Sequence, residues 1–305
     1  MPELFTIIVA NYNNGGYLPR LFEGMFQQTY TNWELIIADD CSTDDSISVI
    51  EKYSIKDKRI KLIRHSSNLG AGAAFKTAMD HSSGAIIGML GADDALLPDA
   101  LSEMLAAHQN HAEASMINSQ AYDCDAALNP VGLCSISGEQ PEDIAFIQEI
   151  YVGNFVTYKR SAYLRTVGFD PAYKRAVDRD IFLKLEEVGT LVFVPKPLYL
   201  YRRHDLGISQ AGNGIKAATF ELKARMDAFE RRKKNGYKRN LTQKEYNQLA
   251  LLYYSRTSVN LRKENKSVEA LKANFHCLAY SSTYALKRTF WSSLFYNTKA
   301  LLVKS

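Results

Sequence analysis

The sequence is short of several features that would each announce a function. No apolar run reaches the roughly 18–20 residues that a membrane-spanning helix requires; the best candidates, Ala85–Leu90 and Leu191–Val194, are far too short. The four cysteines (Cys41, Cys124, Cys134, Cys277) show no C-x-x-C spacing, which argues against a zinc site and a disulfide scaffold and suits a reducing cytoplasm. Met1-Pro2-Glu3 lacks the basic-then-apolar order of a secretory signal, so a cytoplasmic location is expected. No G-x-G-x-x-G follows the first apolar run, which excludes a dinucleotide-dependent dehydrogenase. Neither an internal repeat nor a low-complexity stretch is found.

What is present is ordinary globular material: 305 residues, 46% hydrophobic and 23% charged, with room for one large domain and a small one. Disorder as the main state is excluded. The net charge of +4 hides a split. Residues 1–214 hold 18 Lys+Arg against 27 Asp+Glu, a net −9, whereas residues 215–305 hold 19 against 6, a net +13. An acidic first part and a basic last part argue for two jobs, the second next to something anionic.

Along the first 110 residues, short apolar runs alternate with helical patterns. Residues 4–10, LFTIIVA, read as a buried strand ending at the polar Asn11-Tyr12-Asn13-Asn14-Gly15-Gly16. Leu18, Leu21, Phe22, Met25 and Phe26 then recur at helical spacing, with Pro19 in the first turn. Residues 33–38 form a second strand ending in Asp39-Asp40, and Ser42-Thr43-Asp44-Asp45 opens a helix. Residues 60–63 form a third strand, residues 68–79 a glycine-rich loop and helix, and residues 85–90 a fourth strand ending in Gly91-Ala92-Asp93-Asp94 before a helix at Pro98. Such alternation implies right-handed crossovers and a mostly parallel sheet, with ligands outside the carboxyl ends of its strands. Residues 112–200 read as mixed short strands and helices, with turns near Pro130, Gly138 and Pro171. Gly212-Asn213-Gly214 marks a boundary; beyond it there is no proline, three or four helices are expected, and Arg231–Gly236 reads as a charged turn between two of them.

Four constellations carry chemistry. Tyr12 at the first strand end could stack on a base, and a carboxylate of Asp39-Asp40 beside it could accept a uracil N–H; the alternative is that the two acids only cap and turn the chain. Asp93 and Asp94 suit a hard cation such as Mg²⁺ or Mn²⁺, or else cap the next helix. Asp178 and Asp180 sit at a helix start, where capping explains one and leaves the other for base chemistry. Tyr201-Arg202-Arg203-His204, with Ser209 beyond, is a cationic segment able to hold phosphates, and the histidine is a candidate metal ligand.

In order, VANYNNGGYL, QQTYTNWELIIADDCSTDDS, NLGAGAAF, GADD, VGFDPAY, DRDIFLKL and YRRH resemble the family 2 glycosyltransferases with a GT-A fold, over residues 4–209. The resemblance implies an α/β GT-A fold, a mostly parallel central sheet flanked by helices, over residues 1–212. Residues 1–110 would form the nucleotide-sugar-binding half and 111–212 the acceptor-binding half, with a basic helical C-terminal region over 213–305. It also implies that Tyr12 stacks on uracil, that the Ala10 backbone meets the base, and that Asp40 accepts the uracil N–H. Asn68 joins the nucleotide site, Asp93 holds the metal with His204, and Asp178 is the general base. Departures exist: Gly91 stands where an Asp is frequent, Val177 where an acid precedes the base, and Phe75-Lys76 where Arg-Asn is common, so Lys76 is read as a phosphate-side charge. Arg202, Arg203 and His204 are expected on the diphosphate side, and Tyr151, Asn154, Phe155 and Tyr158 on an acceptor-facing wall, ordinary sheet packing being the alternative for each.

The function these features imply is inverting transfer of a sugar from a nucleotide-diphospho-sugar, a UDP-sugar, to a hydroxyl of a glycan or lipid-linked acceptor in surface polysaccharide synthesis, with Mn²⁺ or Mg²⁺ as cofactor. The rivals are a non-catalytic nucleotide-sugar-binding partner subunit and a nucleotidyltransferase. For the basic tail, peripheral contact with anionic membrane competes with a helical cap or a homo-oligomer interface, and nucleic acid is not an expected partner.

Overall fold

The computed structural model describes residues 3–204, 214–286 and 288–302. By internal contact the chain divides into two units, Met1–Gln210 and Ala211–Ser305. Ser209 and the boundary residues Gly212 and Asn213 lie outside the described residues.

In the first unit the expected alternation is realised. Strands β1 (Phe5–Asn11), β2 (Trp33–Asp39), β3 (Ile60–Arg64) and β4 (Ile86–Met89) run parallel in the order β3-β2-β1-β4. The crossovers are helices α1 (Leu18–Phe26), α2 (Ser46–Lys56) and α3 (Ala71–Asp80). β2 is buried along its whole length and β1 nearly so, which is why both read as continuous apolar runs rather than alternating ones. Helix α1 buries Leu18, Leu21, Phe22 and Met25 against them, while Phe26 ends the helix half-exposed.

The sheet continues through β8 (Val156–Lys159), β6 (Ala114–Cys124), β9 (Thr190–Arg202) and β5 (Ala95–Leu96), with β7 (Pro130–Leu133) added to β6. β8 is antiparallel to both of its neighbours, whereas the long pair β6 and β9 is parallel. Helices α4 (Ala100–Asn110), α5 (Arg160–Tyr163) and α6 (Val177–Glu186) complete the unit. The α/β fold expected from the sequence is therefore present, with one correction: β6 and β9 are 11 and 13 residues long, not short strands. Pro195 and Pro197 hide β9 from a reading of propensity. The register jumps from Ser119–Val194 to Gln120–Pro197, so an irregularity absorbs the prolines while the strand runs on.

The second unit, among the described residues, is four α-helices, α7 (Gly214–Asn235), α8 (Gln243–Lys263), α9 (Ser267–Tyr280) and α10 (Arg288–Leu302), with a 3₁₀ turn at Ser282–Leu286. The expected charged turn at Arg231–Gly236 is corrected: Arg231–Asn235 complete the last turn of α7, and only Gly236, at φ +67°, breaks it. Basic side chains there face the negative end of the helix dipole, and glycine takes the left-handed conformation at least cost. Helix α8 opens with a reciprocal capping box between Thr242 and Glu245.

Candidate functional site

The parallel register of β1 and β2 sets Asn11 opposite Asp39. Asp39 is fully buried, and its carboxylate accepts from Asn11 Nδ2 at 2.7 Å, the Ser42 N–H at 2.9 Å and Ser42 Oγ at 2.6 Å. It is the acid that builds the turn. Asp40 does something different. Its carboxylate reaches across to the loop after β3, accepting the backbone N–H groups of Leu69 (2.8 Å) and Gly70 (2.7 Å), and lies 2.8 Å from His65 Nδ1. A carboxylate offers about four lone-pair directions, so one remains after these three contacts. Gly70, at φ +94°, allows the loop to present its N–H in this way. Tyr12 is 46% exposed beside this junction, Ala10 is half-buried at the end of β1, and Asn68 is exposed on the loop. His65 escaped the sequence reading; its signal was its place, directly after the third strand, where the first two strands also carry their polar residues.

At the end of β4 the two acids again separate. Asp94 is buried and holds β9 in place: the Tyr199 hydroxyl donates to it at 2.6 Å and the Arg202 N–H at 2.8 Å, while the Gly91 N–H donates to the Tyr199 hydroxyl at 3.0 Å. Burial, and then the charge of Asp93, push the Asp94 carboxyl well above the usual carboxylate range. Asp93 is partly exposed, with Oδ2 2.8 Å from His204 Nε2; His204 Nδ1 lies 3.3 Å from the Tyr17 hydroxyl. The chain leaving β4 and the chain leaving β9 thus bring residues 93 and 204 together. Arg202 is buried, donates to the carbonyls of Asp93 (2.6 Å) and Ala126, and lies over the Tyr17 ring. Arg203 pairs with Asp123 at 2.8 Å. Both guanidinium groups, expected on the diphosphate side, hold partners of the fold itself.

Asp178 and Asp180 stand in the first turn of α6, but neither caps it; the helix starts from Ala176 in the left-handed region, without a side-chain cap. Asp180 is buried against Lys184 at 2.5 Å, and Lys184 also donates to the Gly168 carbonyl at 2.8 Å. Asp178 has a half-exposed side chain, 3.9 Å from Arg179. It lines an open cavity of about 170 Å³ together with Gly91, Asn154, Tyr199, Phe75, and the run Lys174-Arg175-Ala176-Val177.

Of the acceptor-wall candidates, Asn154 lines this cavity, Tyr151 is half-buried outside its lining, and Phe155 and Tyr158 are fully buried. Phe155 stacks toward Tyr199 at 6.1 Å and Tyr158 toward Tyr163 at 5.9 Å, so for these two sheet packing is what the fold uses. Lys76 lies on α3 with its ammonium 2.6 Å from Asp80, and its neighbour Phe75 forms the cavity wall instead. Lys174 and Arg175 were missed. Their signal was two adjacent cations three and four residues before Asp178, and burial lowers the Arg175 guanidinium from its ordinary value.

Asp93 and His204 together offer one oxygen and one nitrogen donor. That set fits Mn²⁺ or Mg²⁺ only as part of a site completed by phosphate oxygens and water, since no cluster of three or more His, Cys, Asp or Glu occurs among the described residues.

A sequence profile described as glycosyl transferase family 2 matches residues 6–183. Chondroitin synthase of Escherichia coli is 30% identical over 198 residues, covering 64% of this chain and 28% of the relative. Matches to further curated relatives cover 20% of their length, so this chain spans only a fifth to just over a quarter of these proteins. Among solved structures, S. aureus TarS 1–349 in complex with UDP-GlcNAc superposes with a TM-score of 0.66 at 16% identity, over 97% of this chain and 88% of that one. The mannosyltransferase PcManGT of Pyrobaculum calidifontis, in complex with GDP-Man and Mn²⁺, gives 0.57 at 17% identity, over 99% and 87%. At these identities the likeness establishes a shared fold.

Proposed function

The chain belongs to glycosyl transferase family 2, and from that membership we propose that it transfers a sugar from a UDP-sugar to a hydroxyl of a glycan or lipid-linked acceptor during polysaccharide synthesis, inverting the anomeric carbon. The observation that carries this reading is Asp178: of two acids on one helical turn, Asp180 is locked to Lys184, and Asp178 is left half-exposed in a cavity shared with Gly91 at the end of β4. The UDP-GlcNAc bound by TarS and the name of the chondroitin synthase relative support a UDP-sugar donor and a polysaccharide product.

In this reaction the Asp178 carboxylate removes the acceptor hydroxyl proton as its oxygen bonds to the anomeric carbon. The bond from that carbon to the donor diphosphate breaks, and the electron pair leaves with UDP. One displacement inverts the configuration and needs no covalent sugar–enzyme intermediate. Tyr12 supplies a face for the uracil ring, Asp40 a remaining acceptor direction for its N–H, and the Ala10 backbone and Asn68 complete the base site. Asp93 and His204 would hold Mn²⁺ or Mg²⁺, which when bound would offset the charge of the departing diphosphate. Residues 1–110 would thus form the donor half and residues 111–212 the acceptor half.

For the basic region over 213–305 we read peripheral contact with anionic lipid. Trp291 and Phe295, four residues apart on α10, are 58% and 62% exposed. Arg262 lies over the Tyr296 ring at 5.3 Å, in a stretch with 19 basic against 6 acidic residues. No helix of the described residues is long and apolar enough to cross a membrane. Flotation with vesicles containing anionic lipid tests the contact; no salt-sensitive binding would remove it.

Thermal unfolding with UDP, GDP or CMP, each with and without Mn²⁺, tests the main reading. Ligand at about 100 times its dissociation constant adds roughly 2.7 kcal/mol to a native site. UDP is expected to stabilise most, more so with Mn²⁺, and the effect should vanish in Asp40→Ala. No shift with any nucleotide would overturn the proposal; a UDP shift without any transfer would favour a non-catalytic partner subunit.

A further inference from the structure

His65 takes no part in the transfer reaction, yet it is held against Asp40, the carboxylate read as the acceptor of the uracil N–H. We propose that His65, braced by Thr77, is a positioning residue: it fixes the Asp40 carboxylate in one orientation and so sets selectivity for uracil over cytosine nucleotides. The inference rests on the base-binding reading of Asp40 and adds the residue that makes that reading selective.

The parallel register of β2 and β3 pairs Asp39 with Arg64, so residues 40 and 65 leave adjacent strand ends side by side, and the His65 N–H donates to the Asp39 carbonyl at 2.9 Å. The contacts of Asp40 divide unevenly between its oxygens. Oδ1 accepts the Leu69 N–H at 2.8 Å and meets His65 Nδ1 at 2.8 Å, whereas Oδ2 accepts the Gly70 N–H at 2.7 Å. With two lone pairs on each oxygen, Oδ1 is filled and the remaining direction is on Oδ2. An ionised carboxylate accepts and never donates, so Nδ1 carries the proton in this pair. On the far side of the ring, Nε2 lies 2.9 Å from the Thr77 hydroxyl of α3, which can donate to it or accept from it. The His65 and Asp40 side chains are 8% and 5% exposed, so water competes little for these contacts.

The turn after β2 is built by Asp39, through Asn11 and Ser42, and does not need His65. What His65 adds is the filling of Oδ1. A carboxylate with both oxygens open could turn either one to a base; with Oδ1 occupied it offers one acceptor in one place. Uracil presents a ring N–H to such an acceptor. Cytosine presents a ring nitrogen lone pair at the same position, and a site built to accept a hydrogen bond rejects a ligand that cannot donate it.

The test is calorimetric titration of the full chain with UDP and with CDP, Mn²⁺ present throughout, in the wild type and in His65→Leu, His65→Asn and Thr77→Val. An asparagine amide can present an N–H near the place of Nδ1, leucine fills space without a donor, and both lose the contact to Thr77. His65→Leu is expected to cut the UDP-over-CDP preference about tenfold or more, while His65→Asn keeps it within about threefold of wild type. Thr77→Val removes one hydroxyl at nearly constant shape and should lower the preference by about threefold. An unchanged preference in His65→Leu overturns the proposal. An equal fall in the leucine and asparagine variants also overturns it, because a ring that only supports the fold would give that result. If His65→Leu does not fold, Thr77→Val decides: a lowered preference supports the proposal and an unchanged one overturns it. A wild-type chain that binds UDP and CDP alike overturns both the proposal and the Asp40 reading while leaving the transferase reading in place. Absence of any UDP response in the wild type removes all three.

Discussion

Gly91→Ala is a small change with a large expected cost. A Cβ at residue 91 would lie 2.5 Å from Asp94 Oδ2 and 3.0 Å from Asp93 Oδ1. Asp94 cannot yield cheaply, because it is buried and its carboxyl is held by the Tyr199 hydroxyl at 2.6 Å and the Arg202 N–H at 2.8 Å. Rotating it away leaves at least one buried polar group without its partner, at a cost of about 1–3 kcal/mol, and crowding adds to that. A loss of about 2–4 kcal/mol follows, or about 5–15 °C in Tm at the 2–4 °C per kcal/mol usual for a domain of roughly 150–250 residues. The shifted carboxyl would also disturb Asp93, whose Oδ2 faces His204 at 2.8 Å, so the Mn²⁺ enhancement of UDP binding should weaken with it. Differential scanning fluorimetry of both proteins, with and without UDP and Mn²⁺, reads the two effects together. A variant within about 2 °C of wild type and with the same metal response would refute the argument that glycine is required by the Asp94 junction.

Further outcomes are expected. Asp178→Asn should lower turnover by about 10²–10⁴-fold, the usual worth of a general base, with the UDP-induced Tm shift retained; a variant with most of its activity would remove Asp178 from that role. His108 is buried, with Nε2 2.9 Å from Thr157 Oγ1; desolvation, and then the Lys159 charge, hold its pKa down from 6.5 to about 3. The unfolded chain therefore binds a proton that the folded chain refuses, so stability is full above about pH 6.5 and falls as pH drops toward 3, by at most about 4–5 kcal/mol from this group. His108→Gln should flatten the acid limb of a plot of denaturant midpoint against pH; an unchanged slope would contradict the assignment. Thr242→Ala removes the cap that accepts the Glu245 N–H and should cost about 1 kcal/mol in the helical unit. Hydrogen exchange in the first turn of α8 would detect the fraying, and unaltered protection there would speak against the capping box.

Three adjacent or near-adjacent acid pairs show where sequence reading stops. Asp39-Asp40, Asp93-Asp94 and the Asp178–Asp180 pair all stood out, because polar residues that end apolar runs are visible without a fold. Which member of each pair is structural was decided by tertiary partners. Asp39 is held by Asn11, 28 residues earlier, together with nearby Ser42, and Asp94 by Tyr199, 105 residues later. No local pattern announces the distant partners. Asp180 is different, because Lys184 lies one helical turn on, and that i,i+4 spacing was readable in DRDIFLK.

The sequence by itself determined the succession of the four parallel strands and their crossover helices, though not the two-residue β5, since buried parallel strands must be apolar throughout and helices must repeat every 3.6 residues. It also determined that the last ninety or so residues are helical and basic. Only the tertiary structure decided that β6 and β9 pair along their length despite two prolines, because an irregular register can absorb residues that propensity counts against a strand. The fold also decided that Asp93 meets His204 across 111 residues of chain, and that Lys174 and Arg175 share a cavity wall with Asp178. Side chains far apart in sequence become neighbours only through the crossings of a sheet, and those crossings depend on all of its strands at once.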